Sequence, residues 1–415
     1  GRDKAQLYYE ANAAGLRYMA KIASQLEIEC DFREQDAYLY ATTESSAKQI
    51  EREWVAYQTL GIEGNRVNSI PFAISVETAL CMKNQAQFHP LLYLERLVSE
   101  IIAQGGQIFE GTTAVDVQDG KRPTVVTREG HRVSARKVLA CSHFPFYDAM
   151  GFYFARMYAE RGYVLAAKIA ETYPGGMYIS ADSPERSLRS VTIAGEELVL
   201  IGGENHVTGR GVDTMGHYEA LERFGRSLFT VQNVLYRWSN QDLFTLDRVP
   251  YIGEISQFHP HVLVATGYRK WGMTTSTAAA LLLCDYVLER DNPYRELYTP
   301  ARFYMDPSLK NFFVQNASVG AHLVLGKLAV SARTTADLAN DEGGVIIHYG
   351  ERAGAYKDAD GQVFIVDTTC THLGCEVKWN HGDRTWDCPC HGSRFNYQGE
   401  VIEGPAHLPL ARLTE

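Results

Sequence analysis

At 415 residues the chain is long enough for two or three domains. A hydrophobic content of 45% with 11% aromatic residues suits a globular protein with substantial cores, and a formal net charge of -10 argues against nucleic acid as a partner. No low-complexity tract or internal repeat is visible, and no apolar run reaches the length of a membrane span.

The first predicted element is an amphipathic helix over 4–29, because Leu7, Ala11, Ala14, Tyr18, Ile22 and Leu26 recur at helical spacing. A short strand is expected over 38–41. Thr43 can cap a helix running to about residue 60, with Gly61 as its stop. Pro90 suits the first position of a helix through 104, which Gly105 and Gly106 end. A strand over 107–117 follows. Strands over 124–127 and 132–140 continue a small sheet, with turns at Asp119-Gly120 and Glu129-Gly130. Cys30, Cys81, Cys141 and Cys284 lie scattered in apolar or helical surroundings and are expected as buried free thiols.

The segment 89–140 resembles a part of the FAD-dependent oxidoreductases of the D-amino-acid-oxidase-like class, in which a helix near a proline precedes a glycine pair and a strand. Leu198-Val-Leu-Ile-Gly-Gly-Glu204 resembles the substrate-domain strand of that class, and Asp247-Arg-Val-Pro250-Tyr-Ile-Gly253 its proline–glycine segment. Val262-Leu-Val-Ala-Thr-Gly267-Tyr-Arg-Lys-Trp-Gly272-Met-Thr-Thr275 resembles its second flavin-contacting motif. The resemblance implies that Gly267, Tyr268, Trp271, Gly272, Met273 and Thr274 bind the cofactor. It also implies that a helix over 275–289 aims its positive end at the flavin N1–C2=O edge. Glycines at 267 and 272 would let backbone approach the ring. A plain strand–helix crossover is the other reading of this stretch. Arg269 and Lys270 are the catalytic candidates: a cation there binds a substrate carboxylate, or Lys270 sits near flavin N5, or the two are a solvated pair at a loop tip. His143 and His206 follow strand-like segments and are read as structural histidines that could line the site. Trp271 is expected to pack rather than react.

The pyrophosphate turn of that class, G-x-G-x-x-G, is absent; Gly202-Gly203 and Gly209-Arg-Gly211 lack the spacing. The resemblance begins in mid-domain, and roughly 80 residues are expected to be missing, more than the ~30-residue unit itself. A fragment of a longer enzyme is the favoured expectation. The alternatives are a separate chain carrying the unit, and a protein that has discarded flavin. Loss of that unit should leave the parallel sheet with an unpaired inner edge.

Residues 311–330 are the nearest approach to a membrane anchor, but Gln315, Asn316, His322 and Lys327 interrupt them. A linker helix over 304–329 and a cytoplasmic location are expected.

Beyond it lie Cys370-Thr-His372-Leu-Gly-Cys375 and Cys388-Pro-Cys390-His391-Gly-Ser393. They resemble the paired cluster-binding loops of Rieske proteins, whose [2Fe–2S] centre takes two thiolates on one iron and two imidazoles on the other. Each loop offers one of each: Cys370 with His372, and Cys388 with His391. Residues 373–387 leave room for a hairpin that folds one loop over the other. Neutral imidazoles in place of two thiolates ease electron uptake and raise the potential. A structural zinc site is the competing reading, although zinc ribbons use C-x2-C or H-x3-H rather than C-x-H. The resemblance further implies a Cys375–Cys390 disulfide, a Ser393 hydrogen bond to the cluster, and a shielding loop at Gly404-Pro405. Where the high-potential family has a tyrosine hydroxyl, this chain has Phe395. The expected midpoint is therefore below the top of the Rieske range of about −150 to +300 mV.

Together these features resemble the Rieske-containing FAD-dependent oxidoreductases; Cys141-Ser-His-Phe-Pro-Phe-Tyr147 and Gly151-Phe-Tyr-Phe-Ala-Arg-Met157 look peculiar to that subgroup. The expected architecture is an α/β FAD-dependent oxidoreductase-like body over 1–303, incomplete at its N-terminus, with dinucleotide and substrate parts interleaved. The linker follows, then a small all-β Rieske domain over 330–415. The expected cofactors are FAD, in the complete protein, and a [2Fe–2S] cluster. Flavin would take a hydride equivalent from the C–N bond of an amine or amino-acid-like substrate. The cluster would pass electrons singly to an unidentified acceptor, so oxygen need not be that acceptor. The alternative is an electron carrier whose large domain is a non-catalytic docking body. A Rieske oxygenase is expected to fit badly, since those enzymes need a mononuclear iron site with two His and a carboxylate after the cluster domain, whereas this sequence ends at Glu415, soon after it.

Overall fold

A computed structural model describes residues 1–211, 213–302, 316, 319–320 and 333–413. Helix α1 (Arg2–Gln25) buries Ala11, Gly15, Met19 and Ala23, four residues apart, on one side. It stops short of the predicted 29 because Glu27 takes a left-handed conformation, φ 48°. Strand β1 (Arg33–Ala41) is longer than predicted. Its polar first half has no strand pattern of its own and is held by antiparallel pairing with β3 (Thr78–Gln87), beyond which β2 (Gly64–Val67) forms the sheet edge. Helix α2 (Glu44–Leu60) keeps its predicted ends: Thr43 Oγ1 accepts from the Ser46 N–H, and Gly61 terminates it.

Helix α3 (Pro90–Ala103) also begins where Pro90 predicts, but only Tyr93 is buried; Leu91, Leu94, Val98, Ile101 and Ile102 are exposed. The strand expected over 107–117 is a correction. Only β4 (Ala114–Gln118) forms, because Ile108 and Phe109 lie exposed with no strand beside them among the described residues. Strands β5 (Thr124–Thr127) and β6 (Arg132–Ser134) complete a three-stranded antiparallel sheet with β4. The strand expected over 132–140 is in fact two. Its second half, β7 (Val138–Ala140), leaves that sheet and pairs in parallel with β14 (Val262–Thr266), which in turn pairs with β13 (Tyr251–Glu254). Among the described residues β7 has a partner on one side only.

After the short α4 (Tyr153–Arg156) the chain enters the long strands β8 (Met157–Ile169), β9 (Met177–Ser180), β10 (Arg186–Ile193) and β11 (Glu196–Val207). Helix α5 (Thr214–Leu228) and β12 (Val231–Thr245) follow. These strands build an eight-stranded sheet in the order β12-β8-β11-β10-β9-β1-β3-β2. Successive side chains of a strand face opposite sides. On β8, Tyr163 and Leu165 therefore point toward α5, where Tyr218 and Leu221 complete a core with Leu188, Val199 and Ile201. Tyr158 and Glu160 point the other way. Helices α6 (Gly272–Val287) and α7 (Arg295–Tyr298) cover β13 and β14, with α1 packed on α6.

The C-terminal domain is all β. Strands β15 (Glu342–His348), β16 (Glu351–Lys357) and β17 (Val363–Val366) form one sheet with β22 (Arg412–Leu413). Strands β18 (Lys378–Asn380), β19 (Thr385–Asp387), β20 (Arg394–Asn396) and β21 (Val401–Glu403) form the other. Trp386 and Phe395 fill its core beside Cys370 and Cys388. The predicted linker helix over 304–329 lies outside the described residues except at 316, 319 and 320; Asn316 Nδ2 donates to Ala155 O at 3.0 Å. Of the four thiols expected to be buried, Cys30 and Cys81 are, whereas Cys141 and Cys284 are exposed. Nearby apolar sequence could not reveal which side of β7 or α6 would be covered.

Candidate functional site

Two loops of the C-terminal domain close in the same way. The Cys370 N–H donates to Cys375 O at 2.8 Å and the Cys388 N–H to Ser393 O at 2.8 Å; Gly374 N–H returns to Cys370 O and Gly392 N–H to Cys388 O. Each turn needs a left-handed residue four places after its cysteine, which Gly374 (φ 76°) and Gly392 (φ 82°) supply without a Cβ clash. Hairpin β18–β19 then lays one loop over the other. The result brings His372 and His391 together, ring centroids 5.0 Å apart and perpendicular, beside the buried Cys370 and Cys388. The Nδ1 atoms of both histidines are buried and have no hydrogen-bond partner among the described residues. Cys375 and Cys390 form the disulfide, S–S 2.05 Å, and their sulfurs lie within 4.8 Å of Cys388 Sγ. It staples the loops to each other.

Burial pushes both imidazoles down to about 4, with His407 adding to the effect on His372 and His372 to that on His391. Both are therefore neutral at pH 7, the form in which a ring nitrogen can bind metal. The hydrogen bond between the two thiols lowers Cys370 to about 7 against its burial, helped by the His372 N–H and the Ser393 hydroxyl. The same bond, together with burial, raises Cys388. Ser393 Oγ also accepts from the Ala406 N–H at 3.0 Å, which ties the Gly404-Pro405 segment to the second loop. Phe395 is buried in the same core and offers no hydroxyl. Phe395→Tyr is expected to raise the cluster midpoint in a potentiometric titration, because a hydrogen bond to sulfur favours the reduced, more negative state. An unchanged or lower midpoint would count against a sulfur-facing position.

The histidine side of the loops packs against the large domain, while Thr371 and Leu373 of the first loop stay exposed. Phe154, just before β8, sets its ring edge-on to His372 and His391 at 6.0 and 5.7 Å. Gln241 of β12 donates from Nε2 to Gly392 O at 2.9 Å, and Gly382 N–H donates to Thr214 Oγ1 at 2.8 Å. Arg161 of β8 reaches Asp383, Asp387 and Glu403 across the domain boundary. None of these large-domain residues was singled out from sequence. The one signal was the unusual 151–157 segment that contains Phe154.

The other predicted site lies on the large domain. Helix α6 starts at Gly272, three residues before the predicted start, so its positive end sits at Gly272 and Met273. Trp271 precedes it with no side-chain cap, and a Cβ at Gly272 would meet nothing within 4 Å. Trp271 and Met273 are exposed on either side. The Thr274 hydroxyl donates to Asn12 of α1 at 2.9 Å, which ties the first turn of α6 to α1. The close neighbour at Gly267 (φ 75°) is Thr245, whose Cγ2 would lie 2.5 Å from an added Cβ. Glycine is therefore needed there for packing on β12. Tyr268 bridges to Phe244, and the Arg269 N–H donates to Leu243 O at 3.0 Å. Lys270 is exposed at the loop tip, and its Nζ pairs with Glu185 at 2.5 Å; Asn205 donates to the same carboxylate at 3.1 Å.

Glu160 and Asp242 stand directly opposite each other on β8 and β12 near that lysine. Burial raises both, Asp242 to about 6, with Lys270 opposing the shift in each. His206 is a structural residue: its Nε2 meets Tyr163 OH at 3.0 Å and its Nδ1 meets Val207 O at 2.9 Å. His143 takes φ 63° and accepts from Thr266 Oγ1 through its carbonyl.

An α/β body built on the large sheet, followed by a small all-β domain with paired Cys/His loops, defines a Rieske-bearing flavoenzyme architecture. The description "FAD dependent oxidoreductase" matches residues 1–286 and "Rieske [2Fe-2S] domain" matches residues 329–414. The chain belongs to the FAD-dependent oxidoreductase family and carries a Rieske domain; it is an enzyme of that family. It is 47% identical over 413 residues to YhfW of Bacillus subtilis (strain 168), named for a Rieske 2Fe-2S iron-sulfur protein, covering 100% of this chain and 81% of that one. Over 46 residues it is 54% identical to the chloroplastic cytochrome b6-f complex iron-sulfur subunit of Fritillaria agrestis, 11% of this chain and 20% of that one. The glycine oxidase of Geobacillus kaustophilus shares the fold at TM-score 0.60 and 17% identity, over 71% of this chain and 82% of that chain. The L-proline dehydrogenase of P. horikoshii does so at TM-score 0.59 and 15% identity, with the same coverage.

The family's cofactors are FAD and a [2Fe–2S] cluster. Two thiols and two neutral imidazoles with unpartnered Nδ1 atoms fit the cluster's donor set. The uncapped start of α6, open above Gly272, fits the electron-rich edge of a flavin. The pyrophosphate turn has no counterpart in these 415 residues. Among the described residues no helix is long and apolar enough to cross a membrane.

Proposed function

We propose that the chain couples flavin-dependent oxidation of an amine or amino-acid-like substrate to one-electron transfer through the Rieske cluster. Its domains would divide at 1–303 and 330–415, with residues 304–329 as the linker. Cys370 and Cys388 would hold one iron, His372 and His391 the other, with Ser393 hydrogen-bonded to the Cys370 sulfur. Gly267, Tyr268, Trp271, Gly272, Met273 and the Thr274 backbone would face the flavin. Arg269 and Lys270 would orient the substrate carboxylate; Lys270 is held toward the sheet by Glu185. Bound flavin supplies hydride acceptance, and the cluster supplies single-electron acceptance.

The observation that carries this reading is the seating of the cluster loops on β8 and β12, the strands whose opposite face carries Tyr158, Glu160, Asp242 and Phe244 beside the 267–272 loop. One sheet thus separates the two candidate redox sites. The test is anaerobic mixing of the flavin- and iron-loaded protein with a panel of amino acids and secondary amines, monitored at the cluster's visible absorption. Reduction of the cluster by a panel member, lost in Lys270→Met, is the expected result. A flavin-loaded protein whose cluster stays oxidised with every member would favour the electron-carrier reading.

A further inference from the structure

Arg161 is 0% exposed, yet it lies on a strand of the large domain, donating to Ser239 and, at 3.4 Å, to Gln241 Oε1 of β12, and facing the carboxylates of the C-terminal domain. Its guanidinium stands 3.8 Å from Asp383, 3.7 Å from Asp387 and 3.3 Å from Glu403. Arg394 meets the same three carboxylates from within the C-terminal domain, at 2.9, 3.1 and 3.4 Å. Ser239 of β12 donates to Asp383, and Tyr218 of α5 donates to it at 2.9 Å. Two guanidiniums therefore face three carboxylates in a shared buried cluster, and one of the guanidiniums belongs to the other domain. Asp387 directly precedes Cys388, Arg394 directly follows Ser393, and Glu403 directly precedes Gly404-Pro405, so every carboxyl-terminal-domain strand in this cluster leads into a loop around the iron site.

We propose that Arg161 is a positioning residue that seats the Rieske domain, histidine edge inward, on the β8–β12 ribbon and sets the charge the cluster experiences. The cluster then works from a fixed place beside the large domain and not as a tethered shuttle. This rests on the ligand assignment given under Proposed function. The physical case has three parts. First, a buried ion cluster adds little net stability compared with an apolar contact but penalises every arrangement in which one partner is missing, so it selects one geometry. Second, Phe154 and Gln241 touch the cluster loops themselves, His372, His391 and Gly392, and so transmit that geometry to the iron ligands. Third, removing Arg161 leaves one guanidinium against three carboxylates. The added negative balance disfavours the reduced cluster and lowers its potential.

The experiment compares Arg161→Gln, Arg161→Lys and Gln241→Ala in the holoprotein by potentiometric titration of the cluster and by amide hydrogen exchange over 239–241 and 388–393. In Arg161→Gln the midpoint is expected to fall and exchange in both segments to rise. Arg161→Lys, which keeps the charge, should restore most of the midpoint. Gln241→Ala, a milder change that removes no charge, should raise exchange at 388–393 while leaving the midpoint near wild type; it keeps the test open if Arg161→Gln does not fold. A wild-type midpoint and wild-type exchange in Arg161→Gln, or unchanged exchange in Gln241→Ala, would overturn the proposal. Failure of the amine-oxidation reading would show separately, as an oxidised cluster in wild-type protein mixed with substrate, and would leave these measurements unaffected.

Discussion

Cys388→Ser is expected to abolish cluster assembly, with protein-bound iron falling close to zero and the visible spectrum of the cluster lost. Iron–sulfur chemistry requires a soft thiolate at this position, and a serine oxygen is a hard ligand with a far higher pKa. The site cannot recruit a substitute easily. Cys375 and Cys390, whose sulfurs lie within 4.8 Å of Cys388 Sγ, are held in their own disulfide, and the position is buried away from water. The large domain should keep its fold, because its cores around Tyr163, Val264 and Leu282 are built without residues of the C-terminal domain. Flavin content and far-ultraviolet circular dichroism near wild type, alongside iron loss, would be the signature. Iron retained at two per chain with an altered spectrum would mean that the ligand set differs from the one proposed.

Asp247→Asn is expected to destabilise the large domain by about 3–5 kcal/mol, the usual range when one partner of a buried ion pair is removed. Arg302 grips Asp247 through two hydrogen bonds, Nε to Oδ2 at 2.7 Å and Nη2 to Oδ1 at 3.0 Å, and both side chains are almost completely buried. The same guanidinium donates to Pro250 O and Tyr298 O at 2.9 and 3.0 Å, and it lies 4.2 Å over the Tyr251 ring. Asp247 in turn accepts from Thr245 and from the Val249 N–H, each at 3.1 Å. The pair thus joins the end of β12, the start of β13 and the segment after α7. Burial alone would raise the Asp247 carboxyl, but the Arg302 hydrogen bond and charge outweigh it and hold it below the usual carboxylate range. A depressed folded-state pKa stabilises the fold above the unfolded value of about 3.9, and that contribution is lost as pH falls through the lower folded value. The gap between wild type and Asp247→Asn in urea denaturation should therefore be complete at pH 7 and narrow only below about pH 4. A gap below 1 kcal/mol at pH 7 would show that the segment after α7 is held by something else.

The chemistry of the cluster loops could be read from the chain because it is local. Each loop closes on itself within five residues, the turn glycines sit at fixed offsets, and the donor atoms belong to the same short segments. The same holds for the ends of α2 and α3, where Thr43, Gly61 and Pro90 act on backbone groups a few residues away. Prediction failed where an element depends on a distant partner. The first half of β1 has no strand pattern and is held by β3, the apolar pair Ile108 and Phe109 has no neighbouring strand among the described residues, and sequence does not show that β7 leaves β6 and crosses to β14.

The functional site divides along the same line. The residue types alone determined that this chain carries thiolates and imidazoles in Rieske spacing, a flavin-type strand–glycine–helix segment, and Phe395 in place of a hydroxyl. Alternation along β8 and β12 marks two faces, but it cannot say what covers either one. Only the tertiary structure decided that one face receives the Cys/His loops and their domain through Phe154, Arg161 and Gln241, while the other gathers Glu160, Asp242 and Lys270. The physical reason is that pairings such as Arg161 with Glu403 join residues far apart in the chain, and they exist only once two independently folded surfaces meet.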